Sequence, residues 1–200
     1  MGLESSYSKN QTIECGCDEA GRGSLCGAVF ASAVILPPDY HNSKLNDSKQ
    51  LSHKIREQLR EQIIKEAISY SVVAISAEVI DQINILNASI KGMNEAVLKL
   101  TVKPELLLID GNRFKNETGI PYQCIVKGDG KYLSIAAASI LAKTFRDDYM
   151  TELDLEFPEY NWKTNKGYPT LEHQEAILKH GRTPYHRKTF QIKNQLKLEF

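Results

Sequence analysis

Three acidic positions in this 200-residue chain stand where short apolar runs stop. Asp18 and Glu19 follow Ile13–Cys17, Asp110 follows Leu106–Ile109, and Asp129 lies just past Tyr122–Val126. One such carboxylate is ordinary, because Asp before Gly caps a turn, and Asp110-Gly111 and Asp129-Gly130 each fit that role separately. Agreement among three run ends points instead to a shared site, since sites in open α/β sheets form outside the carboxyl ends of strands. If the first and fourth strands are parallel neighbours, the four carboxylates meet in one crevice. They cannot all stay ionised there unless a cation joins them. Hard cations such as Mg2+ and Mn2+ prefer oxygen ligands. A pair of them clamps the attacking and leaving oxygens of a phosphoryl transfer. Asp18, Glu19, Asp110 and Asp129 are therefore the candidate catalytic and metal-binding residues.

The segment that follows, Gly21-Arg22-Gly23-Ser24-Leu25-Cys26-Gly27, matches a relaxed dinucleotide-binding fingerprint, with Asp39 at a suitable distance for a ribose hydroxyl. Geometry opposes that reading. Only eleven residues separate Gly27 from Asp39, and they read as strand where a helix and another strand are required. Asp18 and Glu19 would also set negative charge against a pyrophosphate. A G-x-x-x-x-G-K-[ST] loop is missing too, so a nucleotide-triphosphate motor is unsupported. Glycines beside a metal site have another use: they let backbone approach a ligand closely. Contact with a 2′-hydroxyl is the task that tells RNA from DNA.

The elements that must position these residues follow from periodicity. Ile13–Cys17 reads as a first strand and Ala28–Leu36, closed by Pro37-Pro38, as a second. Leu51–Ile68 reads as a helix capped by Ser52, with Ile55, Leu59, Ile63 and Ala67 on one face. A strand over Tyr70–Ala77 and a helical stretch Val79–Leu100, broken near Asn84, come next. Short strands Leu106–Ile109 and Tyr122–Val126 precede a helix from about Leu133 to Leu155, and a last short helix covers Leu171–Lys179. The order predicts an α/β architecture: a mixed five-stranded sheet flanked by helices, with a small helical C-terminal extension. Residues 1–158 are expected to form the catalytic domain, and 159–200 a helical, basic extension packed on it as one structural unit.

Composition is that of a globular protein, 42% hydrophobic and 25% charged. No apolar run approaches the roughly 18 residues that span a bilayer. The polar stretch Met1–Thr12 lacks the apolar core of a signal peptide, so a cytoplasmic, monomeric protein away from membranes is expected. In that reducing compartment disulfides are not expected among the four cysteines, and their spacing is not that of a structural zinc site. Net charge is zero, yet Lys179–Lys197 carries six Lys or Arg and no acid, a tail able to reach phosphates. Phosphate contact and plain surface exposure both suit His186 within that tail. Lys127, Lys131 and Lys143 flank the acids in sequence.

Taken together, the motifs resemble bacterial ribonuclease HII, within the ribonuclease H-like superfamily. They are Cys17-Asp18-Glu19-Ala20-Gly21-Arg22-Gly23, Leu45-Asn46-Asp47-Ser48-Lys49, Asn84-Ile85-Leu86, Leu108-Ile109-Asp110-Gly111-Asn112 and Lys127-Gly128-Asp129. Ser134–Lys143, Lys166-Gly167-Tyr168-Pro169-Thr170 and His186-Arg187-Lys188-Thr189-Phe190 complete the set. The resemblance implies an endonuclease that hydrolyses the RNA strand of RNA–DNA hybrids and nicks 5′ of ribonucleotides embedded in duplex DNA. It implies two-metal-ion catalysis with Mn2+ or Mg2+, leaving 5′-phosphate and 3′-hydroxyl ends. By that pattern Asp18, Glu19, Asp110 and Asp129 are the active-site acids. Gly21, Arg22 and Gly23 read the 2′-hydroxyl and the adjoining phosphate, and Tyr168 packs on the sugar. A non-catalytic hybrid-binding module is the rival class, but four carboxylates that repel phosphate would serve it badly. The chain departs from the family pattern at Ser24, where Pro is usual, at Asn165, where His is common, and at Gly130 and Tyr132. Ser24 in particular is expected to loosen the glycine loop. The final segment, Gln195-Leu196-Lys197-Leu198-Glu199-Phe200, resembles peptides that bind the bacterial sliding clamp, which makes the clamp a candidate partner.

Overall fold

The computed structural model describes residues 2–8, 12–45 and 51–192. Asn46-Asp47-Ser48-Lys49 and Gln195–Phe200 lie outside the described residues. Five strands form one sheet in the order β3-β2-β1-β4-β5: β1 Glu14–Ala20, β2 Val29–Ile35, β3 Ser69–Ile75, β4 Leu106–Asp110 and β5 Tyr122–Ile125. β1, β2 and β3 form an antiparallel meander, while β4 and β5 add parallel to β1's other edge. This is the mixed five-stranded sheet flanked by helices that the sequence predicts. All seven residues of β2 are buried, as expected of a strand covered on both faces.

Two layers of helix cover the sheet. One face packs on α2 (Ala77–Ile83) and α3 (Ile85–Leu98), with Cys15, Cys17, Val29, Ala31, Leu107 and Ile109 meeting Ile80, Met93 and Val97. The other packs on α4 (Leu133–Glu156), behind which lies α1 (His53–Glu66). The expected break near Asn84 is real. Asn84 has φ +66°, ends α2, and caps α3 by accepting from the Asn87 N–H. Ser52 caps α1 in the same way. Only Leu59 and Ile63 of the expected α1 face are buried, because α1 packs on α4 rather than on the sheet, and Ala67 falls past its end.

β1 runs further than its apolar residues. It continues through Asp18 and Glu19 to Ala20, because β2 pairs with it as far as Ala20↔Phe30. Strand alternation therefore sends Asp18 toward α4 and Glu19 toward α3. Gly16 fixes how closely α4 lies on β1. A Cβ there would stand 2.2 Å from the Ser134 carbonyl carbon, so only glycine lets the start of the helix rest on the strand.

Beyond Pro158 come a 3-10 turn at Pro158–Tyr160, α5 (Trp162–Asn165) and α6 (Leu171–His180). Tyr160, Trp162, Ala176, Ile177 and Ile192 bury against Met150 and Leu153 of α4 and against Leu25 and Cys26 beyond β1. Among the described residues no helix is long and apolar enough to cross a membrane.

Candidate active site

The parallel register that pairs Cys17 with Ile109 brings Asp18 and Asp110 out as neighbours at the ends of β1 and β4. Asp18 is buried at 5% exposure, its carboxylate accepting from the Ser139 side chain of α4 and, at 2.7 Å, from the Glu19 N–H. Asp110 accepts from the Gly128 N–H at 2.7 Å. That bond ties β4 to the 3-10 turn Gly128–Gly130, in which the next residue, Asp129, is also buried. Glu19 faces the opposite side and pairs with Arg22 at 3.0 Å. In front of Glu19 and Asp110 opens a cleft of about 280 Å³, lined also by Arg22, Ser89, Asn112 and Arg113.

Burial, then the negative charges of Glu19 and Asp110, push the Asp18 carboxyl well above the ordinary carboxylate range. Among the described residues no three of His, Cys, Asp and Glu are gathered into a ready metal cage. The acids lean instead on internal partners: Ser139, the Gly128 N–H and Arg22. The donor set still suits a hard divalent cation, being all oxygen, net negative and centred on a buried carboxylate that its neighbours disfavour as an anion.

The glycine loop forms the second half of the site. Gly21 is buried with φ +98°, and a Cβ there would stand 2.0 Å from Nε of Arg146. Its glycine thus serves the packing behind the loop as well as any ligand in front. Arg22 and Gly23 are exposed. Tyr168 lies beside Gly23, its ring 4.0 Å from where a Gly23 Cβ would be. The fold therefore brings Gly21–Gly23 and Tyr168 together across 145 residues of chain (168 − 23). Three backbone bonds lock that meeting: Leu25 N–H to Gly167 O, Gly27 N–H to Tyr185 O, and Arg187 N–H to Leu25 O.

Several expectations change here. Ser24 does not loosen the loop: it is fully buried, and its hydroxyl accepts from Nη2 of Arg146 at 2.8 Å. Asn165 holds the approach to Tyr168, donating to Tyr160 O and accepting from the Gly167 N–H. His186 is neither exposed nor placed for phosphate. It is 1% exposed, packed among Tyr160, Trp162 and His173, with its imidazole pushed down to about 3 by burial. Lys143 pairs with Asp147 at 2.7 Å and lies 5.8 Å over the Tyr168 ring. Cys15 and Cys17 share a face with sulfurs 3.8 Å apart, and burial pushes the Cys26 thiol up to about 12. Ser139 and Arg187 fall within motifs that carry the resemblance and Arg146 within none, but nothing in their local sequence signals that their side chains point into the loop or onto Asp18.

A family model described as Ribonuclease HII matches residues 15–195. A ribonuclease HII from Parabacteroides distasonis is 63% identical over 97% of this chain and 98% of its own length. The ribonuclease H2 of Pyrococcus horikoshii superposes with a TM-score of 0.76 at 24% identity, over 92% of this chain and 96% of that one, and shares the fold. A ribonuclease HII from Archaeoglobus fulgidus, solved as a complex with PCNA, superposes with a TM-score of 0.75 at 26% identity, covering 90% and 96% of the two chains.

Proposed function

The chain belongs to the ribonuclease HII family and is a metal-dependent endoribonuclease, and on that premise we propose that it hydrolyses the RNA strand of RNA–DNA hybrids and nicks 5′ of single ribonucleotides in duplex DNA. One observation carries the reading. The β1–β4 register sets Asp18 beside Asp110, and the glycine loop, against which Tyr168 lies, begins where β1 ends, three residues past Asp18. Phosphate chemistry and ribose recognition thus lie within one nucleotide's reach.

Asp18, Glu19, Asp110 and Asp129 hold divalent ions, Mn2+ or Mg2+. When bound, such a pair supplies Lewis-acid stabilisation of the attacking and leaving oxygens. The chain's own residues do the rest. Ser139 and the Glu19 N–H orient Asp18, the Gly128 N–H orients Asp110, and Arg22 steadies Glu19 until a phosphate competes for the guanidinium. The Gly21–Gly23 backbone reads the 2′-hydroxyl, and the Tyr168 ring packs on the sugar. Cleavage leaves 5′-phosphate and 3′-hydroxyl ends. The protein works as a cytoplasmic monomer, with residues 159–200 serving the 1–158 body as part of one unit. Gln195–Phe200 docks on the sliding clamp, a reading supported by the PCNA complex of the Archaeoglobus fulgidus relative.

A duplex carrying one ribonucleotide, incubated with Mg2+ or Mn2+ and followed by end-group analysis, tests the activity. Nicking 5′ of the ribonucleotide, with an all-DNA duplex untouched, is the expected result; binding without cleavage would establish the non-catalytic rival. For the clamp, a pull-down in which deletion of Leu196–Phe200 leaves capture unchanged would dispose of the docking role.

A further inference from the structure

Two arginines unused by the chemistry lie directly behind the glycine loop. Arg146 from α4 and Arg187 from the C-terminal segment are both 0% exposed. Their partners are carbonyls and one hydroxyl rather than carboxylates. Arg146 donates to Ala28 O, Lys166 O, Cys26 O and the Ser24 hydroxyl at 2.8–3.2 Å. Arg187 donates to Gly21 O at 2.7 Å, to Arg22 O at 3.0 Å and twice to Gly27 O.

Burying two like charges side by side is expensive, and apolar packing would hold a loop without that cost. Burial and the neighbouring Arg146 pull the Arg187 guanidinium down to about 9, which registers the same tension. The placement has a directional consequence. In a trans peptide, C=O and N–H point opposite ways. With the carbonyls of Gly21 and Arg22 drawn inward onto Arg187, the N–H groups of Arg22 and Gly23 must face outward, at the exposed surface beside Tyr168. A carbonyl bonded to a cation also polarises its peptide, making the N–H on the far side a stronger donor. Successive outward N–H groups over a buried positive charge form a receptor for an oxygen that bears lone pairs or negative charge.

We propose that Arg187, backed by Arg146, is a positioning residue for ribose selection: it aims the N–H groups of Arg22 and Gly23 at the 2′-oxygen of the substrate. The inference rests on the reading of Gly21–Gly23 as the ribose-recognising loop. Arg146 extends the grip to Ser24 and Lys166, tying the glycine loop to the segment that carries Tyr168.

The test is binding preference in the non-cutting Asp110→Asn background with Mg2+. Fluorescence anisotropy gives affinities for a duplex with one ribonucleotide and for its all-DNA twin. Arg187→Lys keeps the charge but loses the fork, and its preference for the ribonucleotide should fall about tenfold, the worth of one to two hydrogen bonds. Affinity for all-DNA duplex should stay within about twofold, because phosphate attraction depends on charge. Ser24→Ala removes one Arg146 partner without touching the exposed loop and should lower the preference about two- to threefold. A purely structural role would lower both affinities together, in proportion to the folded fraction. Folded Arg187→Lys protein that keeps the parent's preference overturns the inference; should that variant not fold, an unchanged preference in Ser24→Ala overturns it. A parent protein with no preference at all would instead sink the functional reading, and the inference with it.

Discussion

The acid half and the glycine-loop half of the site are built in opposite ways. Asp18 and Asp110 are placed by backbone register, at the ends of parallel neighbours in the sheet. Gly21–Gly23 and Tyr168 are placed by a few bonds between loops and by side chains that reach across most of the chain, Arg146 and Arg187 above all. The first half is electrostatically unfavourable without a cation, since Asp18 is buried beside two other carboxylates. The second holds a buried surplus of positive charge satisfied by carbonyls. One region therefore sacrifices stability for chemistry, and in the other a network of hydrogen bonds supplies both stability and aim.

That contrast predicts opposite signatures for substitution. Asp18→Asn should lower nicking by about a thousandfold or more while leaving the melting temperature equal or higher, because it removes a disfavoured charge. Parallel kinetics and calorimetry check it; a destabilised, active variant would break the comparison. Arg187→Ala should do the reverse in stability, costing about 3–5 kcal/mol by stripping buried carbonyls of their donors. Denaturant melts measure this.

Gly16→Ala tests the scaffold both halves share. Its Cβ would press on the Ser134 backbone, lifting α4 and with it Ser139, so about 2–3 kcal/mol of stability should be lost together with activity. His186 gives the extension a pH signature. Its imidazole stays neutral in the fold down to about 3, whereas the unfolded chain takes up a proton near its ordinary value of 6.5. Stability is therefore fully present above that ordinary value and falls as pH drops below it, by about 1–2 kcal/mol at pH 5. Urea melts at pH 7 and pH 5 should show the loss, reduced in His186→Asn. The smallest effect belongs to Arg22→Ala: its guanidinium is half exposed, so stability should move by less than about 0.5 kcal/mol. Affinity for substrate should fall all the same.

The two halves also differ in how far the sequence reveals them. The parallel β1–β4 pairing that sets Asp18 beside Asp110 is a tertiary feature that the local pattern leaves open, whereas Asp18, Asp110 and Asp129 announce themselves because apolar runs and carboxylates alternate locally. The break at Asn84 and the cap at Ser52 are equally local. The extension of β1 through Glu19 is not local, because it depends on pairing with Phe30 and Ala31 of β2. Nor is the burial of His186 within a run of basic residues, which depends on the Trp162 and Tyr160 rings that close over it. Ser24 illustrates the same limit. Judged against its neighbours it is a missing proline, while in the fold it is a ligand for a guanidinium 122 residues away.

The central claim is that the neighbouring carboxylates at the ends of β1 and β4 perform the cleavage. Its most direct test is the single-turnover nicking rate of wild type and Asp110→Asn on one embedded ribonucleotide, with both proteins shown to be folded and saturated with duplex. A rate at least about a thousandfold lower in the variant is predicted. Equal rates would contradict the account.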